Sequence, residues 1–121
     1  MISAQTIPNC RQILVGLARS ANPHRVTYSE LMRRLGIARQ EIKDVLNPIY
    51  DAERRAGRPD LTLIVRYAGS RYGLYRSGGA TPQTKKVASA RDRQGYKAEL
   101  KRVYATSGGT PRGAFKRWLE S

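Results

Sequence analysis

Few of the usual markers of chemistry occur in this sequence. Cys10 is its single cysteine, so no intrachain disulfide can form and the chain suits a reducing compartment. On the helical stripe described below, that thiol reads as core rather than nucleophile. His24 is the single histidine, beside Pro23 in a turn, and no Cys/His spacing suits zinc. Neither a glycine-rich phosphate loop nor a nucleophile elbow is present. Acidic residues are scarce, 9 against 23 Lys and Arg. Asp44, Asp51 and Glu53 fall among basic residues and are expected to form surface ion pairs. Asp51, Glu53 and Asp60 can converge in principle, as a metal-dependent nuclease requires, but nothing in their spacing demands it. The expectation is a non-enzymatic protein with no cofactor and no metal. No apolar run reaches membrane-spanning length, and no basic amphipathic segment carries a broad apolar face. Met1–Cys10 lacks the basic start and apolar stretch of a signal peptide. A soluble, cytoplasmic protein without a membrane partner is expected.

What the chain does have is positive charge. Its formal charge is +14 over 121 residues, well above the roughly 2–8 that keeps a small domain soluble. Such crowding of like charge is most simply matched by a polyanion. Arg76–Ser121 carries 11 basic and 3 acidic residues, and Met1–Tyr75 carries 12 and 6, so the C-terminal segment is the more strongly basic. Hydrophobic residues make up 40% of the chain, enough for one core.

Periodicity orders the elements. Cys10, Ile13, Leu14, Leu17 and Ala18 form one apolar stripe on a helix over about residues 8–21, opened near Pro8 and ended at Asn22-Pro23. Thr27 and Glu30 make a capping box at the head of a second, short helix, with Val26 and Leu31 placed for a hydrophobic staple. Gly36 closes it. A third helix over about 38–56 buries Ile42, Val45, Leu46, Ile49 and Tyr50, with a kink or break expected at Pro48. Two helices joined by a tight glycine turn read as a helix-turn-helix. Leu61–Tyr67 alternates as a strand, Ala68–Arg71 forms a turn, and Tyr72–Arg76 returns as its partner. Three helices followed by a hairpin give an α+β winged helix over residues 1–76. Residues 77–91 read as a mobile basic linker. A C-terminal helical extension over 92–121 is expected, its first helix built on Tyr96, Leu100, Val103 and Tyr104. Thr110 and Pro111 are placed to open a terminal helix bearing Phe115, Trp118 and Leu119.

The candidate nucleic-acid contacts follow from this layout. Arg33 and Arg34 lie on the outer face of the second helix. Arg39, Gln40, Lys43 and Asn47 lie opposite the apolar stripe of the third, where a recognition helix meets base edges. Arg suits guanine, Gln and Asn suit adenine, and Lys suits phosphate or guanine; an ordinary polar outer face is the competing reading. Arg66, Arg71 and Arg76 fall on the hairpin, with Arg71 at or beside its tip and able to reach phosphate or a narrow minor groove. Lys85 and Lys86 track the backbone from the linker, and Arg112, Lys116 and Arg117 are further candidates for that role. Tyr67 reads as core, while Tyr72 and Tyr75 either pack inward or stack on unpaired bases. Phe115, Trp118 and Leu119 either cover the domain's own core or dock a protein partner.

Three groups of residues carry a resemblance. They are Thr27-Tyr28-Ser29-Glu30-Leu31 closing on Leu35-Gly36; Leu46-Asn47-Pro48-Ile49 leading to Gly57-Arg58-Pro59-Asp60-Leu61-Thr62 and Ile64-Val65; and Tyr96 with Glu99 and Val103-Tyr104. Over about residues 10–105 this resembles a family of small, largely uncharacterised winged-helix-like proteins of bacteria and mobile elements. The resemblance implies the fold rather than an activity, and the Tyr67–Gly73 segment departs from the family's Gly-Pro-rich turn. The Thr-Tyr-Ser-Glu-Leu segment is also similar to the DNA-binding half of alkylguanine alkyltransferase-like proteins, but their Pro-Cys-His-Arg motif is absent. The expected function is non-catalytic binding of nucleic acid, with duplex DNA favoured, by a regulator or accessory factor. An RNA- or single-strand-binding module, and an inhibitor or adaptor of a nucleic-acid machine, remain as alternatives.

Overall fold

The computed structural model describes residues 2–20, 24–76, 84–86 and 90–121. The architecture is α+β and mostly helical. Helix α1 spans Thr6–Arg19, strand β1 Val26–Thr27, α2 Tyr28–Leu35 and α3 Ile42–Arg55. Strand β2 spans Val65–Arg66, β3 Leu74–Arg76, β4 Thr84–Lys86, α4 Ala90–Ser107 and α5 Gly113–Glu120. Short 3-10 turns occupy Arg39–Glu41 and Leu61–Ile64.

The best-marked helix in the sequence forms at the expected place, with the Thr27 half of its capping box. Thr27 is extended and its hydroxyl accepts the Glu30 N–H at 3.2 Å, satisfying one orphan donor of the first turn. Gly36 ends α2 at φ 65°, a left-handed conformation that favours glycine. The next helix starts differently. Arg39 and Gln40 lie on the 3-10 turn, whose entrance is fixed by Glu41: its carboxylate accepts the Ala38 N–H at 2.8 Å and the Ile2 N–H at 3.2 Å. The hydrogen bond from Ala38 leads in holding the Glu41 carboxyl below its ordinary pKa. Pro48 sits inside α3 without breaking it.

The strand expected over Leu61–Tyr67 is a correction. Leu61–Ile64 is a 3-10 turn, and only Val65–Arg66 is extended. Asp60 diverts the chain: one carboxylate oxygen accepts the Thr62 N–H at 3.0 Å and its hydroxyl at 2.6 Å, a local turn that competes with strand. Every residue from Leu61 to Val65 is buried, so the alternation separated no wet face from a dry one. The turn packs against α1, α3 and α4 and forms the centre of the core.

The hairpin is also corrected. The chain does reverse, with the Tyr67 N–H donating to the Tyr72 carbonyl at 3.0 Å and Gly69 at φ 74°. Yet β2 pairs in parallel with β1, Val26 opposite Val65. Strand β3 instead pairs antiparallel with β4, Leu74 opposite Lys86. Lys85 and Lys86 therefore belong to a strand, not to the expected linker, and α4 begins at Ala90. Parallel pairing needs a crossover, here supplied by α2 and α3.

Helix α4 is no appendage. Tyr96, Leu100, Val103 and Tyr104 are buried with Cys10, Leu14 and Ala18 of α1 and Val45 and Ile49 of α3, so residues 92–121 share the core of the preceding segment. Thr110 and Pro111 do not open the last helix; α5 starts at Gly113 after Arg112. The connection before it is tied to the end of α1, with the Thr110 N–H donating to Ser20.

Glu53 departs from the surface ion pair expected of it. It is 5% exposed and ion-paired with Arg11 and with Arg58, the latter at 2.8 and 3.0 Å. Burial acts to raise its pKa, but the hydrogen bonds and charges of Arg58 and Arg11 outweigh it, and the carboxyl is held below its ordinary 4.5. A depressed folded pKa gives stability that is present above the unfolded value and lost as pH falls through the folded one. Glu53→Ala is therefore expected to cost about 1–3 kcal/mol at neutral pH, and the gap from the parent should narrow on acidification below about pH 4.5. Urea denaturation at several pH values measures this; a gap independent of pH contradicts it.

Candidate nucleic-acid interface

Arg25 organises the region where cations gather. It precedes β1 and carries its half-buried guanidinium inward. One terminal nitrogen donates to the Leu63 carbonyl at 2.9 Å and to the Tyr96 hydroxyl at 2.5 Å, and the other donates to the Arg71 carbonyl. The Tyr96 hydroxyl donates onward to Leu63 at 2.7 Å. Burial pushes the Tyr96 phenol up to about 12, against the opposing influence of Arg25. The guanidinium also lies 5.6 Å from the Tyr96 ring centre and 5.9 Å from that of Trp118, within cation–π range.

Trp118 collects further cations. Arg71 lies 5.5 Å and Lys97 5.8 Å from its ring centre, and Tyr72 meets it edge-on at 5.4 Å. Lys97 donates to the Ser121 carbonyl at 2.8 Å and hydroxyl at 2.9 Å. Phe115 packs against Tyr104, and Leu119 is buried. The face expected as a protein-docking alternative is thus folded onto the protein's own core, and Leu119 is not available to a partner.

Two clefts flank the Tyr67–Gly73 turn and share Ser70. The first, of about 510 Å³, is lined by His24, Arg25, Arg66, Arg71 and Phe115 among others. The second, of about 600 Å³, is lined by Tyr28, Met32, Arg39, Tyr67 and Tyr72 among others. Tyr28 and Tyr67 lie 4.9 Å apart, ring to ring. Burial raises the Tyr67 phenol, partly offset by the charge of Arg39, and Arg39, on the 3-10 turn before α3, lines this cleft beside the Tyr67–Gly73 turn.

The expected contacts distribute as follows. Arg33 and Arg34 of α2, Arg39 and Gln40 of the 3-10 turn, and Lys43 and Asn47 of α3 are all exposed. Arg66 is half-buried and braces the turn, donating to the carbonyls of Tyr67 at 3.2 Å and Ser70 at 3.1 Å. Arg71 is exposed but does not sit at a hairpin tip, because β3 pairs downstream; it lies over Trp118. Arg76, Lys85 and Lys86 are placed on β3 and β4 by backbone, and their side chains lie outside the described residues. Tyr72 and Tyr75 both pack edge-on against Tyr96, the inward reading of the two. Among the described residues no group of His, Cys, Asp and Glu is arranged to hold a metal. Asp60 serves Thr62, and Glu53 serves two arginines. Burial pushes the Cys10 thiol up to about 11, so it is not a thiolate at neutral pH.

Sequence reasoning set His24 aside as a lone histidine in a turn and passed over Arg25. A signal for them existed. The chain has no Asp or Glu before Glu30, none between Asp60 and Asp92, and none between Glu99 and Glu120. The segments that line the first cleft all come from these carboxylate-free stretches.

Comparison of the chain with protein-family models, with curated proteins and with solved structures gives no match. Among the described residues no helix is long and apolar enough to cross a membrane.

The turn between the clefts depends on a close backbone approach. A Cβ on Gly73 would lie 2.2 Å from the Val65 carbonyl oxygen and 2.8 Å from the Tyr28 hydroxyl, which accepts the neighbouring Leu74 N–H at 2.8 Å. Gly73→Ala must push the turn away from β2 and is expected to cost about 1–3 kcal/mol. Parental stability in chemical denaturation would refute this reading of the turn.

Proposed function

We propose that this protein is a non-catalytic, duplex-DNA-binding regulator or accessory factor that works as a winged helix. In this reading α3 with its preceding 3-10 turn is the recognition segment, and β3–β4 is the wing. The observation that carries it is the position of Arg39: it lines the cleft formed with the Tyr67–Gly73 turn, at the head of an exposed series continuing through Gln40, Lys43 and Asn47. A recognition helix presents its N-terminal residues to base edges while neighbouring loops hold phosphates. The excess charge of +14 supplies the attraction, which is steeply salt-dependent for any such binder. The parallel β1–β2 pair is an unusual base for a wing, and the winged-helix reading rests on element order and on the β3–β4 hairpin.

Titration of labelled duplex DNA, single-stranded DNA and RNA at several salt concentrations tests the proposal. Duplex should bind most tightly, with log affinity falling by about 0.9 per neutralised phosphate against log salt. Arg39→Ala combined with Lys43→Ala should weaken duplex binding about tenfold or more without loss of fold. Parental affinity in that double variant would remove α3 as the reader, and a preference for RNA or single strands would replace duplex as the ligand.

A further inference from the structure

We propose that the cleft lined by His24, Arg25, Arg66, Ser70, Arg71 and Phe115 is a phosphate-binding site, on the other side of the Tyr67–Gly73 turn from the cleft that Arg39 lines. The inference rests on the nucleic-acid reading and extends it from the recognition helix to a second point of contact.

Charge is the first argument. Three arginines and a histidine line one cleft, and no lining residue among those described is acidic. The chain supplies no carboxylate from within the three segments that meet there. Two arginines elsewhere in the protein, Arg11 and Arg58, are paired with a carboxylate, that of Glu53. Here Arg25 and Arg66 are held by backbone carbonyls instead. Carbonyl dipoles orient and solvate a guanidinium without neutralising its net charge, and arginine's planar fork suits a phosphate oxyanion.

Shape is the second argument. At about 510 Å³ the cleft falls within the roughly 300–1,000 Å³ of ordinary ligand sites, more than a bare ion needs. Phe115 provides an apolar wall for the carbon skeleton that a phosphate carries. Arg71 is the exposed cation at this site and lies over the Trp118 ring. A cation–π contact at an exposed position is weak, about 0.5–1 kcal/mol, so Arg71 can exchange the ring for an oxyanion. A phosphate bound here would belong to a strand passing over the turn beyond Arg39. It is either an internal phosphodiester or a terminal phosphate, since the chemistry is shared.

The test uses the whole chain and its one tryptophan. Duplexes of the same sequence with 5′-hydroxyl and with 5′-phosphate ends are titrated against the parent and against a double variant, His24→Ala with Arg71→Ala. Both positions are exposed, and circular dichroism checks the fold. Arg55→Ala, at the exposed last turn of α3, removes the same formal charge elsewhere. The double variant should lose about 3- to 30-fold in duplex affinity, with a salt slope shallower by about 0.9 for each phosphate it no longer neutralises; Arg55→Ala should lose less. A parental preference for the 5′-phosphate assigns a terminal phosphate, and equal affinity for the two ends assigns the backbone. Parental affinity in the double variant, or an equal loss in Arg55→Ala, overturns the site while leaving DNA binding by α3 intact. If the parent binds no nucleic acid, the functional reading fails and inorganic phosphate decides the cleft alone. It must shift Trp118 emission at constant ionic strength where chloride does not, and the shift must vanish in the double variant. An unchanged spectrum then overturns the site.

Discussion

The Arg25 guanidinium stands where the segment after α1, the central 3-10 turn, the Arg66–Arg71 turn, α4 and α5 all meet. Its partners are the carbonyls of Leu63 and Arg71, the Tyr96 hydroxyl and two aromatic rings. A charge taken out of water needs compensating dipoles or a counter-ion. This one is compensated by dipoles that only the folded chain brings together, since Leu63, Arg71, Tyr96 and Trp118 are distant in sequence. The core, the turn between the clefts and the seating of α5 are therefore linked through one side chain. The same choice of neutral partners leaves net positive charge at the mouth of a cleft.

The acidic residues make a complementary pattern. Glu53 is buried between two arginines, Asp60 shapes the turn that centres the core, and Glu41 fixes the entrance to α3. Carboxylates that another basic protein would spread over its surface are here used as internal ties. Arg33, Arg34, Arg39 and Lys43 accordingly stand exposed on α2, α3 and the turn between them. Net charge and its placement thus have one structural cause: few acids, several of them committed inside.

Local signals were legible and long-range ones were not. Thr27 and Gly36 bounded α2 because caps and left-handed turns depend on neighbouring residues alone. The outward positions Lys43 and Asn47 followed from helical period. Leu61–Ile64 misled because a run buried on all sides has no meaningful alternation, and because Asp60 closes a turn through Thr62. The pairing of β3 with β4 was illegible for a different reason: Tyr72–Arg76 alternates equally well whatever lies opposite, and partner choice is settled by tertiary packing. Arg25 left no periodic trace at all. A single cation in a connection is read only from what surrounds it, and its surroundings come from four other parts of the chain.

The parallel pairing of Val26 with Val65 has a consequence for how the domain behaves as a unit. It stitches together the two ends of the segment containing α2 and α3, closing them into a loop. A closure across that much sequence is entropically slow to form, and it is completed only when the central turn is in place. A fragment ending before Val65 therefore lacks the strand that closes this segment. Once closed, both helices are anchored at two points rather than one. Whatever α3 meets, it meets with its inner face packed on α1 and on the Leu61–Ile64 turn, the two elements on which α4 also packs.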